Sequence, residues 1–184
     1  MADQRKRRNG NTRVLTLCAL LSALSVVLLY FGSLVEVLDL SMAVLASLAV
    51  VVLVIERGGA YPWLIYAVTS MLSLLLLPNK FGAVVYAFFM GFYPIVKEKI
   101  EKLPLRALRL ALKLATFNAA AILMWWLGGL LLGGFETEIY LAVVLVILNA
   151  TFLFYDYALT VMITAYLRVW RGKLRIDRFF KDRY

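Results

Sequence analysis

The sequence predicts an all-α integral membrane protein, with six transmembrane helices in one compact bundle. Three observations lead there. Hydrophobic residues make up 64% of the 184-residue chain and charged residues only 17%, against roughly half and a quarter in soluble domains. The apolar residues lie in blocks long enough to cross a bilayer, which takes about 20 residues at ~1.5 Å each. The basic residues gather in segments that an even number of crossings brings to one side.

The first expected span, residues 14–31, follows the basic stretch MADQRKRRNGNTR. That stretch resembles the start of a signal peptide. The apolar run behind it is full-length, however, and residues 25–31 offer no small-x-small cleavage site, so it reads as a retained span. The second and third spans are expected at 40–55 and 60–77, and the fourth at 81–96. The links between them, ERGGAYP and PNKFG, are short and carry Gly and Pro, which is turn chemistry that makes the flanking helices antiparallel neighbours. The fifth span is expected at 110–132 and the sixth at 139–167. The sixth exceeds the hydrocarbon thickness and should tilt or extend into the headgroups. No room remains for a soluble domain. The reading is one membrane domain over 1–184, with 1–13 and 168–184 as basic cytoplasmic tails around a bundle at 14–167.

Orientation follows from Lys and Arg. Six crossings bring together the N-terminal Arg5, Lys6, Arg7, Arg8 and Arg13, the fourth-to-fifth link with Lys97 to Arg109, and the C-terminal segment from Arg168 to Arg183. The opposite links hold Lys80 with Glu36, Asp39, Glu136 and Glu138. The basic side is cytoplasmic, so both termini are expected inside and the protein in the plasma membrane. The net charge of +9 then needs no nucleic acid. Anionic lipids at the cytoplasmic face are the simpler partner, at ~1 kcal/mol for each juxtamembrane Lys or Arg. Residues 103–113 begin beside Pro104 and read as an interfacial helix turning into the fifth span. Lys102, Arg106, Arg109 and Lys113 recur there on one stripe, either a solvated, lipid-facing face or a docking face for a cytoplasmic partner.

The chain has one cysteine, Cys18, and no histidine. Intramolecular disulfides are excluded, as are His-based metal sites, Ser/Cys–His nucleophile pairs and His proton shuttles. No metal or other cofactor is expected, and the chain does not read as an enzyme. Of catalytic chemistries, only a lipid-surface reaction using a carboxylate such as Glu56 survives, and Arg57 beside it points to a local ion pair instead.

Asp156 stands in the middle of the last apolar run. A charge at that depth must be buried in protein or paired. If the fifth and sixth helices form a hairpin centred near Phe135 and Glu136, Asp156 lies opposite Ala115 and Thr116, within about a turn of Lys113. A structural Asp156–Lys113 ion pair is therefore predicted, in preference to proton or ion coupling as the alternative role, with Thr116 or Asn118 as hydrogen-bonding support. Asn149 and Thr160 share the face of Asp156.

The first span contains CALLSALS, in which Ala19 and Ala23 sit four apart with Ser22 and Ser25 nearby. Small residues at this spacing let another helix approach closely, either from the same chain or from a partner. A chain of this size, with six spans, both termini inside and ALLSAL behind a basic tail, resembles the substrate-binding S component of an energy-coupling factor (ECF) type vitamin transporter. The resemblance implies that Ala19 and Ala23 dock on a transmembrane T subunit driven by an ATPase pair. It also implies a small vitamin-like ligand held near the outer face by the last three helices and the outer links. Outer polar and aromatic groups are the residues available for it. Asn79 and Lys80 stand foremost, in a turn of almost no length, though an Asn in a Pro-Asn turn and a Lys snorkelling at an interface need no ligand. Tyr86, Trp125 and Asn149 follow, with packing or interhelical contact as their alternative roles. A second class of reading is a membrane scaffold of a cell-envelope complex, like the rod-shape protein MreD, of similar size and topology.

Overall fold

The computed structural model describes residues 2–132 and 141–170. Among them there is no strand. Helix α1 is Ala2–Leu34, α2 Asp39–Glu56, α3 Tyr61–Leu76, α4 Lys80–Val85, α5 Tyr93–Glu101, α6 Arg106–Leu132 and α7 Leu141–Ala165. Four stretches are long and apolar enough to cross a membrane: Val14–Leu34, Asp39–Glu56, Arg106–Trp126 and Val144–Arg168. Helix α3 is apolar but has 16 residues, about 24 Å of rise. The basic N-terminal segment is helical, because α1 begins at Ala2. The expected hairpin centre at Phe135 and Glu136, and the tail beyond Trp170, lie outside the described residues.

The described chain falls into two compact units, one within residues 2–98 and one at Lys99–Trp170. In the first, α1 turns one stripe inward: Val14, Cys18, Ser22, Ser25 and Leu29 are buried at helical spacing. Val14 and Cys18 join Val50, Leu53, Ile65 and Ile95 in its core. The seam between α1 and α2 is built from small residues, with Ala43, Ala46 and Ser47 buried on α2. It is close enough for the Ser25 hydroxyl to reach the Ala46 carbonyl at 3.2 Å as well as that of Leu21 at 2.9 Å. The turn from α2 to α3 needs two left-handed residues, Gly58 and Gly59 at φ +61° and +66°. Gly tolerates this without a Cβ penalty. Arg57 at this turn lies over the Tyr61 ring, 5.5 Å from its centroid. At the α3 end, Leu77 is extended (ψ 135°) because it precedes Pro78.

The expected fourth span is not one regular helix. Between α4 and α5 the chain makes a π turn at Tyr86–Met90 and breaks at Gly91 and Phe92. The Gly91 N–H bonds the Tyr86 carbonyl at 2.7 Å, one residue further back than in an α-helix. That shift releases the Ala87 carbonyl, which accepts the Tyr66 hydroxyl at 2.8 Å. Pro94 then sits in the first turn of α5, where its missing N–H costs nothing. Glycine at 91 is required by crowding: a Cβ there would lie 2.8 Å from both Tyr66 and Tyr86 ring carbons.

In the second unit α6 and α7 pack together, and Phe117 stacks on Phe152 with centroids 4.7 Å apart. No separate interfacial helix forms at 103–113. Helix α6 starts at Arg106, just after Pro104, and continues unbroken into the apolar run.

Candidate functional site

Three charged residues of the second unit, Glu101, Lys113 and Asp156, meet at one place. Lys113, buried on α6, donates from Nζ to Asp156 Oδ2 at 2.9 Å and to Glu101 Oε1 at 3.0 Å. The lysine side chain is 11% exposed, Asp156 16% and Glu101 39%. One cation thus holds two carboxylates, from the last residue of α5 and the middle of α7. This is how an otherwise costly carboxylate is accommodated in an apolar helix. Around the three lies a cleft of about 300 Å³, also lined by Arg106, Arg109 and Leu110.

The expected helpers of the ion pair are elsewhere. The Thr116 hydroxyl bonds back to the Leu112 carbonyl at 2.8 Å. Asn118 turns to Asn149, and the two exchange side-chain amide hydrogen bonds of 3.0 and 3.1 Å. The geometric reason is rise: Asn118 is five residues beyond Lys113, about 7.5 Å along α6. That carries its amide away from the ion pair and toward Asn149, which lies seven residues before Asp156 on the antiparallel α7. Glu101 supplies the support instead. Its sequence signal was faint, one of two acids, with Glu98, in a link dominated by Lys and Arg.

In the first unit a second polar cluster joins the start of α2 to the start of α4. Asp39, 2% exposed, opens α2, where a carboxylate is favoured by the helix dipole. Its Oδ2 accepts from Asn79 Nδ2 at 3.2 Å. Asn79 is also the N-cap of α4, its Oδ1 accepting the Phe81 N–H at 3.0 Å. Gly82 lets α4 come this close, since a Cβ there would lie 3.0 Å from Asp39 Oδ1. The neighbouring Lys80 is exposed, and its Nζ donates to the Leu77 carbonyl at 2.6 Å and more weakly to Leu75 at 3.4 Å. It therefore caps the C-terminal end of α3. Asp39 had been readable only as one of several outer polar residues. The glycine 43 residues later carried the missing information, and nothing local linked the two.

Tyr86 is fully buried at the start of the π turn. Trp125 is 42% exposed and Trp126 62%, so neither is enclosed. Ala19 and Ala23 are both exposed, on the side of α1 away from its buried stripe. Of the residues singled out in the sequence, the fold joins Lys113 with Asp156. It puts Asn79, Lys80 and Tyr86 in and beside α4, and pairs Asn149 with Asn118.

Among the described residues the protein is all-helical, with four helices able to cross a membrane and polar clusters at Asp39–Asn79 and at Lys113–Asp156. No family model, curated protein or solved structure matches the chain.

Proposed function

We propose that this chain is the substrate-binding S component of an ECF-type importer in the plasma membrane. On this reading the protein crosses the membrane six times, with α3 as the third crossing and the interrupted α4–α5 segment as the fourth. Both termini are cytoplasmic, a small vitamin-like molecule is captured at the outer face, and a T subunit with its ATPase pair supplies the energy.

The observation that supports this most is the exposure of Ala19 and Ala23. The CALLSALS stretch carries two sets of small residues. Cys18, Ser22 and Ser25 are consumed by packing within the protein. Ala19 and Ala23 are not, and they leave a shallow face on which a partner helix could lie closely. The interrupted helix adds weight, because non-helical backbone at membrane depth is typical of transport proteins and is tolerated only where protein or a cavity covers it.

The test is to replace Ala19 and Ala23 by Trp and to co-purify the protein with its T subunit and ATPases. Both side chains are exposed, so the isolated variants should fold and keep the small molecule that mass spectrometry finds on the wild type. Assembly should be lost. Undiminished assembly would remove this face as the coupling face. Co-purification of the wild type with wall-elongation proteins, and no retained small molecule, would favour the scaffold.

A further inference from the structure

The cleft beside Lys113 contains more positive charge than the ion-pair cluster uses. Three cations, Arg106, Arg109 and Lys113, face two carboxylates, Glu101 and Asp156. Lys113 is committed to both carboxylates. The side chains of Arg106 and Arg109 have no hydrogen-bond or ion-pair partner among the described residues, and the Arg109 Nε is buried. A buried guanidinium N–H without an acceptor is unfavourable and calls for an anion. The two arginines are three apart on α6, so their guanidinium groups can converge on one ligand. Paired planar forks match the oxygens of a phosphate better than a single carboxylate. Helix α6 begins at Arg106, and the positive end of its dipole lies at the same place.

Position narrows the source. Arg106 also begins the membrane-length apolar stretch Arg106–Trp126. The cleft thus lies where an apolar helix meets the headgroup layer, and Leu110 supplies an apolar wall on the membrane side of the arginines. Its volume is at the small end for ligand pockets, enough for a headgroup but not for a whole lipid.

We propose that Arg106 and Arg109 form a binding site for a phosphate group, that of an anionic phospholipid headgroup. The site does not depend on the transport reading. Lys113 holds Glu101 and Asp156 away from the entering phosphate, and the lipid chains run down α6 beyond Leu110.

The experiment is native mass spectrometry of the full chain in neutral detergent, titrated separately with phosphatidylglycerol, phosphatidylcholine and inorganic phosphate. Wild type should retain phosphatidylglycerol over phosphatidylcholine. Arg106→Gln with Arg109→Gln should lower that retention about tenfold or more, on the scale of two lost charge-assisted hydrogen bonds to the phosphate. Lys102→Gln, a basic neighbour that does not line the cleft, should leave it unchanged. Displacement of phosphatidylglycerol by inorganic phosphate supports the cleft as a general phosphate site, and failure to displace it supports a site specific to lipid. Equal retention by the double variant, or an equal loss in Lys102→Gln, would overturn the proposal in favour of diffuse surface charge. A folded double variant by size-exclusion chromatography is the condition for comparing them.

Discussion

Asn118 on α6 and Asn149 on α7 donate to each other, at 3.0 and 3.1 Å, while each also donates to a carbonyl one turn earlier on its own helix. The amide pair and the Lys113–Asp156 ion pair link α6 to α7 at two heights in one antiparallel register. Asn149→Ala removes both bonds of the exchange and should cost about 1 kcal/mol, within the usual range for interhelical hydrogen bonding in a membrane protein. Thr151→Ala is the control: its exposed hydroxyl bonds only its own helix at Ile147, and the change should be below about 0.5 kcal/mol. Thermal unfolding of the detergent-solubilised protein compares the two, and equal effects would show that the amide pair adds nothing.

The three members of the charged cluster should differ in rank. Lys113→Met leaves two carboxylates facing each other with their cation gone, and should cost about 3 kcal/mol. Asp156→Asn leaves Lys113 still bound to Glu101, and should cost less. Glu101→Gln should cost least, under about 1 kcal/mol, because that side chain is the most exposed of the three. The Lys113→Met, Asp156→Asn double variant should lose less than the singles combined. Simple additivity in the unfolding measurement would mean that the two side chains do not interact.

Two glycines should respond differently to alanine. At Gly82 the new methyl meets the end of the Asp39 side chain, not backbone, at 3.0 Å. Gly82→Ala should cost about 1 kcal/mol, and less once Asp39→Ala is added. At Gly91 the methyl would meet two rings at 2.8 Å and the Tyr86 carbonyl at 2.9 Å. That carbonyl is backbone and is the acceptor of the π turn. Gly91→Ala should cost about 3 kcal/mol, the upper part of the overpacking range. A ranking reversed in unfolding temperature would contradict this account.

Single-cysteine labelling checks the proposed orientation. Cys18 is 1% exposed and should be silent to a membrane-impermeant maleimide. Lys80→Cys and Lys102→Cys both lie at exposed positions. In intact cells the first should label from outside, and the second only after the membrane is opened. Labelling of both from the same side would exclude the six-span arrangement.

The sequence by itself determined the helical class, the apolar blocks and the turns at Gly58–Gly59 and Pro78, since hydropathy, composition and backbone sterics act locally. It also brought Asp156 within reach of Lys113, because equal rise along an antiparallel hairpin is arithmetic. Three features were decided only by tertiary structure. Glu101 completes the Lys113 cluster because the chain between α5 and α6 returns it to that level. The 81–96 stretch breaks at a π turn because the Tyr66 and Tyr86 rings crowd Gly91 and the Tyr66 hydroxyl takes the freed Ala87 carbonyl. The CALLSALS stretch divides into a buried Cys18–Ser22–Ser25 stripe and an exposed Ala19–Ala23 face because α2 packs along one side of α1. A small side chain fits either side of a helix equally well, so only the neighbours against which α1 packs can choose which side is buried.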